Sequence, residues 1–333
     1  MRTIIYLGEQ KNFSGVRLGI HLAQVLGTRG TEAVLVGKKS VLPDYTPFET
    51  AEVAAAATVK SFTNVLKKTK AEKVISFVGL PICEAAVGFK IPFIYVEPEN
   101  FKEDKPVKNK KAFLQKAARV VVLGESSKKL NTRVYSANAV RVASPAIWVE
   151  HYNYDKPSCF KRENNIVAFG DCTRDGGFDV LLQTWARLSP AHTSWHLTIV
   201  GNGPQKSALK KFIQKHKLES ATELLGAETD IYSLLRNADI YVSPSRAAQD
   251  ISIILDAMAS KLPVLATDVP GVDSLITNGV NGVIVNAGEE EPLTIALDEL
   301  MVDWGKRVGF AVRAWEMKDR YPFEAFTAFF EEK

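Results

Sequence analysis

The chain has 333 residues, 46% of them hydrophobic and 24% charged, the composition of an ordinary globular protein and about twice the length of a typical single domain. No apolar run reaches the roughly 18 residues that a membrane-spanning helix needs, and the opening TIIYL lacks the basic and apolar regions of a signal peptide, so a cytoplasmic protein is expected. Cys83, Cys159 and Cys172 are odd in number and widely spaced, which argues for free thiols and against a disulfide framework or a zinc site.

Charge is unevenly distributed. Residues 1–150 carry 23 Lys and Arg against 13 Asp and Glu, whereas residues 151–333 carry 19 against 25. The basic half calls for an anionic partner.

In chain order, the first half alternates β-rich apolar runs with helix-patterned stretches: TIIYL (3–7), EAVLV (32–36), KVISF (73–77), PFIYV (92–96), RVVVL (119–123) and AVRVA (139–143). Continuous apolar runs separated by helices imply a parallel sheet buried on both faces. After Pro145 the pattern breaks into SPAIWVEHYNYDKPSCFKREN, a linker, and then resumes with NIVAF (165–169), WHLTIV (195–200), TELL (222–225), DIYVS (239–243), PVLAT (263–267) and GVIV (282–285). A second doubly wound α/β domain is expected there. From about Trp304 the chain reads as two helices separated near Tyr321-Pro322, because proline is disfavoured inside a helix.

In such sheets ligands sit beyond the carboxyl ends of the strands, where helix N-termini present N–H groups and partial positive charge. The first strand-to-helix turn places Ser14-Gly15 before an amphipathic helix; it is either a helix cap or a phosphate contact. The turn after strand 195–200 reads VGNGPQKSALKKF, with Gly201 and Gly203 allowing a bend and Pro204 at the first helical position. The third, DIYVSPSRAAQDISIILDAMASKLPVLAT, leads into a helix that begins near Asp250 or Ser252 and carries Asp256 in an otherwise apolar stretch. A carboxylate there either meets a ligand hydroxyl or a backbone group, or lies on a solvated face.

Taken together, FGDCTRDGGFDVLLQTWARL, LTIVGNGPQKSAL, LLGAETDIYSLLRNADIYVSPSR, LDAMASKLPVLATDVPGVDSLI and NGVNGVIV resemble the retaining GT-B glycosyltransferases of family four, in order and spacing over residues 165–286. The resemblance implies an α/β fold of two Rossmann-like doubly wound domains facing each other across a cleft. Residues 1–150 would form the acceptor domain, 151–315 the nucleotide-sugar donor domain, and 316–333 a helix returning to the first. It also implies a nucleotide-diphosphate sugar, such as a UDP- or GDP-sugar, as donor. The base would lie near Gly201, Asn202, Gly203, Pro204, Leu225 and Gly226, with Gly170 beside them. The ribose would meet Asp256. The diphosphate would lie at Ser252 and Ile253, facing Gly15.

The chain departs from the family's pattern where the diphosphate is neutralised. Gly170-Asp171 and Gly176-Gly177 stand where relatives carry Gly-Arg and Lys-Gly, and Ala248 and Asp256 replace a pair of glutamates. Arg174, Arg246 and Arg17 are the nearest substitutes for the cations, against the alternative of solvated or surface-paired arginines. Asp250 either stands in for the first carboxylate or caps the helix. No D-x-D occurs, so no metal is expected, and no cofactor beyond the donor.

The Lys-rich stretches 60–73 and 102–119 are compatible with an anionic membrane surface beside a glycan, lipid-linked or protein acceptor, or with a solvated face; no nucleic-acid motif accompanies them. The leading expectation is a retaining glycosyltransferase of polysaccharide biosynthesis. The alternative is a catalytically degenerate subunit that binds acceptor or a partner glycosyltransferase. An epimerase or dinucleotide oxidoreductase is disfavoured, because the first turn lacks G-x-G-x-x-G.

Overall fold

The computed structural model describes residues 1–7, 13–37, 49–52, 58–77, 80–97, 114–123, 140–143, 163–226, 231–247, 251–322, 326–328 and 330. The chain divides into two compact units, Met1–Pro145 with Phe323–Lys333, and Ala146–Pro322. The divisions therefore fall at 145/146 and 322/323 rather than at 150/151 and 315/316. The second boundary moves because the helix from Trp304 ends in a 3-10 turn, Glu316–Arg320, that still packs against the second unit's buried helix.

The first unit is a seven-stranded parallel sheet. Its strands are β1 (Arg2–Tyr6), β2 (Glu32–Gly37), β3 (Glu49–Glu52), β4 (Lys73–Phe77), β5 (Phe93–Glu97), β6 (Arg119–Leu123) and β7 (Val140–Ala143). They lie in the order β3-β2-β1-β4-β5-β6-β7. Apart from Arg2 and Lys73 at their starts, β1 and β4 carry only apolar or hydroxyl-bearing side chains, all of them buried, as expected when helices cover both faces. Helices α1 (Phe13–Thr28), α2 (Val59–Thr69) and α3 (Leu80–Gly88) intervene. A reciprocal cap opens α2: Ser61 N donates to Thr58 Oγ1 (3.3 Å) and Thr58 N donates to Ser61 Oγ (3.0 Å). Its Phe62, Leu66 and Thr69 turn inward, with Phe62 set edge-on to Tyr6 at 4.9 Å, while Lys60, Lys67 and Lys68 are exposed. Lys73 is not part of that basic face. It is buried, and its Nζ donates to the Phe330 carbonyl, tying Phe330 to the start of β4. Residues 102–113 of the second lysine-rich stretch lie outside the described residues.

The second unit is a six-stranded parallel sheet in the order β10-β9-β8-β11-β12-β13. Its strands are β8 (Asn165–Phe169), β9 (His196–Val200), β10 (Thr222–Leu225), β11 (Ile240–Ser243), β12 (Val264–Thr267) and β13 (Val283–Val285). Helices α4 (Phe178–Leu188), α5 (Lys206–Lys215), α6 (Ile231–Asn237), α7 (Ser252–Ala259), α8 (Glu290–Val302) and α9 (Trp304–Trp315) surround it. Two polar anchors fix helices to this core. Trp185 of α4 is fully buried, and its Nε1 donates to Thr222 Oγ1 (2.9 Å) and Ala221 O (3.2 Å) at the start of β10. Arg307 of α9, 4% exposed, donates to the Leu300 and Met301 carbonyls (2.6 and 2.8 Å), closing the C-terminus of α8. Among the described residues no helix is long and apolar enough to cross a membrane.

Candidate functional site

Strand order reverses beside the first strand of each unit, and in the second unit that point lies between β8 and β11. Parallel strands deliver all of their carboxyl ends to one edge, so the segments after β8 (170–177), β9 (201–205), β10 (226) and β11 (244–247) gather there.

Backbone contacts knit these segments together. Cys172 N donates to Asn202 O and Gln205 N donates to Cys172 O, both at 2.8 Å. Gly201 N donates to Leu225 O at 3.2 Å. Lys206 Nζ donates to Asn202 Oδ1 (2.9 Å) and Leu225 O (3.1 Å), which ties the β9 and β10 loops through one ammonium group. Thr267 Oγ1, at the end of β12, donates to the Ser243 carbonyl at 3.2 Å and to that of Ser245.

Two glycines are required by this crowding. A Cβ on Gly201 would lie 2.0 Å from the Gly170 carbonyl oxygen, and one on Gly177 would lie 1.8 Å from that of Pro244. Gly177 also has φ +72°, a left-handed conformation that favours glycine.

The strongest polar contact of the edge joins the β8 and β11 loops. Arg246 Nη1 and Nη2 donate to Asp179 Oδ1 (2.6 Å) and Oδ2 (2.8 Å), Nη1 also donates to Arg174 O (2.7 Å), and the Arg246 backbone N donates to Asp175 O (2.7 Å). Partial burial tends to raise the Asp179 carboxyl, but the hydrogen bonds and charge of Arg246 together hold it below the ordinary aspartate range. Arg246 takes the surface-paired alternative: its guanidinium is engaged in a bidentate pair within the protein, whereas Arg174 is exposed on the same loop.

Asp256 lies in α7, a helix buried along its whole length, and is 1% exposed. A solvated helix-face aspartate is excluded. Ser252 (2% exposed) and Ile253 (7%) form the first turn of the same helix, which opens at Ser252 rather than at Asp250; Asp250 and Ala248 lie outside the described residues. Pro204 precedes its helix by two residues, in a turn closed by Lys206 N donating to Gly203 O (3.1 Å). Gly15 is the third residue of α1 rather than part of a turn before it; the side-chain surroundings of Arg17 lie outside the description. Cys172, buried within the β8 loop, has a thiol pushed up to about 11, chiefly by burial.

Sequence reading had missed Asp179 and Lys206. An acid in the first turn of α4, and a lysine four residues after Asn202, were the available signals.

Residues 163–303 match the model of the family Glycosyl transferases group 1. The second unit is thus similar over most of its length to the group 1 glycosyl transferases. The chain is 27% identical over 186 residues to an uncharacterized glycosyltransferase of Haemophilus influenzae, covering 55% of this chain and 51% of that one. It is 27% identical over 210 residues to the amylovoran biosynthesis glycosyltransferase AmsD of Erwinia amylovora, covering 62% and 58%. The chain thus spans only about half the length of these curated relatives. Among solved structures it superimposes on Anabaena HepE in complex with UDP and glucose, with a TM-score of 0.75 at 17% identity over 98% of this chain and 97% of that one. This likeness is one of fold, and it places the chain in the GT-B fold class.

Proposed function

We propose that the protein is a glycosyltransferase that moves a sugar from a nucleotide-diphosphate sugar to an acceptor with retention of configuration. The observation that carries the reading is a carboxylate, Asp256, held at 1% exposure on the helix that follows the β11 loop.

The base lies against Gly201, Asn202, Gly203 and Pro204 and against Leu225 and Gly226. Asp256 accepts from the ribose hydroxyls. The diphosphate sits at the positive end of α7, at Ser252 and Ile253, where helix N–H groups and dipole favour an anion. Arg174 supplies the cation. In a same-face transfer the bond from the sugar to the phosphate oxygen breaks, the bond to the acceptor oxygen forms, and the acceptor's proton passes to the departing phosphate. Stabilising that phosphate is most of the protein's task.

HepE, with a likeness over nearly the whole chain, holds UDP and glucose, which supports a nucleotide-sugar donor. AmsD is named for amylovoran biosynthesis, which supports an envelope glycan or lipid-linked acceptor. The exposed Lys60, Lys67, Lys68 and Lys70 are the residues of 60–73 suited to an anionic membrane surface. The alternative of a supporting subunit without turnover is favoured by one observation: Arg246 is engaged with Asp179, so the edge has fewer cations than a family member with both motif positions intact.

A thermal-shift series with UDP, GDP, ADP and their sugars tests the reading, because a ligand that binds only the folded state raises Tm. At least one diphosphate stabilises the protein, and its sugar is slowly hydrolysed. Donor hydrolysis or transfer selects the enzyme; no stabilisation by any of them, with the fold intact, overturns the donor-site reading and selects the supporting subunit.

A further inference from the structure

Arg174 sits on a tight turn whose two adjacent carbonyls are both held by one residue of another loop. Its own carbonyl accepts from Arg246 Nη1 (2.7 Å) and from Gly177 N (3.3 Å), and the next carbonyl, that of Asp175, accepts from Arg246 N (2.7 Å). On the other side of the turn, Gly176 N donates to Thr173 O and Oγ1, each at 3.2 Å. Arg246 is itself held at both terminal nitrogens by Asp179, the second residue of α4. The backbone that bears Arg174 is therefore restrained through a chain of contacts running from α4 through Asp179 and Arg246.

Only a planar guanidinium fits this arrangement. It grips both carboxylate oxygens and still directs a donor at a carbonyl, which a lysine ammonium does not reproduce. Gly288 lies alongside it: a Cβ built there would be in ordinary van der Waals contact, 3.4 Å from Arg246 Nε.

We propose that Arg246 and Asp179 form a positioning clasp that sets Arg174 against the donor's terminal phosphate. The clasp rests on the donor-site reading above and adds to it the residues that hold the charge in place. Arg246 acts through Arg174 and does not touch the ligand. It follows that loss of the clasp weakens the contribution of the β-phosphate to binding and leaves that of the nucleoside and α-phosphate nearly intact.

Calorimetric titration of the full chain with UDP, UMP, GDP and GMP reads this contribution as the ratio of diphosphate to monophosphate affinity. One well-placed charge-assisted contact gives a ratio of about tenfold or more. Arg174→Ala brings the ratio close to unity. Arg246→Lys and Asp179→Asn, chosen because they preserve packing, lower it at least about threefold with monophosphate affinity held within about twofold. Combining Arg174→Ala with Arg246→Lys lowers it no further than Arg174→Ala does alone. Deuterium uptake at Gly176 and Gly177 rises in both clasp variants.

An unchanged ratio in Arg246→Lys and Asp179→Asn, with a wild type that binds, overturns the clasp alone. Equal weakening of mono- and diphosphate also overturns it, since that is the mark of a loosened fold. A folded wild type that binds none of the four nucleotides overturns the donor-site reading and the clasp with it.

Discussion

Replacing Gly177 by alanine tests the close approach of the β8 and β11 loops directly. Two costs arise. The backbone stays at φ +72°, which costs an L residue about 1–2 kcal/mol. The new Cβ lies 1.8 Å from the Pro244 oxygen, far inside the 3.0 Å that real Cβ atoms respect. Relief requires the 244–247 backbone to move by about an ångström, an overpacking that costs about 1–3 kcal/mol. The total is about 2–5 kcal/mol. Gly279→Ala is the control: the same unit, φ +75°, and nothing within 4 Å of the added methyl, so only the conformational cost applies. Urea unfolding followed by the fluorescence of the buried Trp185 and Trp195 reads the second unit. Gly177→Ala should lower its midpoint by two to three times as much as Gly279→Ala, with about the same m value, and should weaken binding of any stabilising nucleotide. Equal losses in the two variants would refute the contact between the loops.

Asp256→Ala should weaken nucleoside diphosphate binding by about tenfold or more, as expected for hydrogen bonds to a charged group; calorimetry showing unchanged affinity removes Asp256 from the ribose. Trp185→Phe should cost about 1–3 kcal/mol in urea, because the Thr222 hydroxyl and the Ala221 carbonyl lose a buried donor; a loss below about 0.5 kcal/mol contradicts the anchor. The pH dependence separates two aspartates. Asp179 has a depressed carboxyl, so its contribution is present above the ordinary aspartate range and is lost as pH falls through its lower folded value; Asp179→Asn should flatten that acid limb. Since the side chain is 39% exposed, the effect should stay within about 1 kcal/mol. Asp239 is raised, chiefly by burial, so its contribution has the opposite sign and decreases as pH rises through its folded value. Unfolding midpoints of Asp179→Asn and Asp239→Asn between pH 3 and 7 should therefore diverge from the wild type in opposite directions; parallel curves would contradict the assignment.

The strands of both sheets were legible because each is a short apolar, β-branched run: KVISF, RVVVL, NIVAF and TELL coincide with β4, β6, β8 and β10. β3 was missed because its residues, ETAE, form a polar edge strand with no apolar run to announce it. In the site, the turn glycines and Asp256 stood out locally, the one by its breaks in pattern and the other as a charge in an apolar helix. The partner of Arg246 was not legible because Asp179 is 67 residues away, and no local pattern links the two.

The sequence by itself determined the alternation of strand and helix and the break after Pro145, since both rest on composition and periodicity over neighbouring residues, and it carried the family resemblance in five local motifs standing in order. Only the tertiary structure decided which charges are engaged. That depends on strand order: placing β8 beside β11 brings the 170–177 and 244–247 loops into contact, and a guanidinium between them is held by whichever carboxylate the fold delivers within hydrogen-bonding distance.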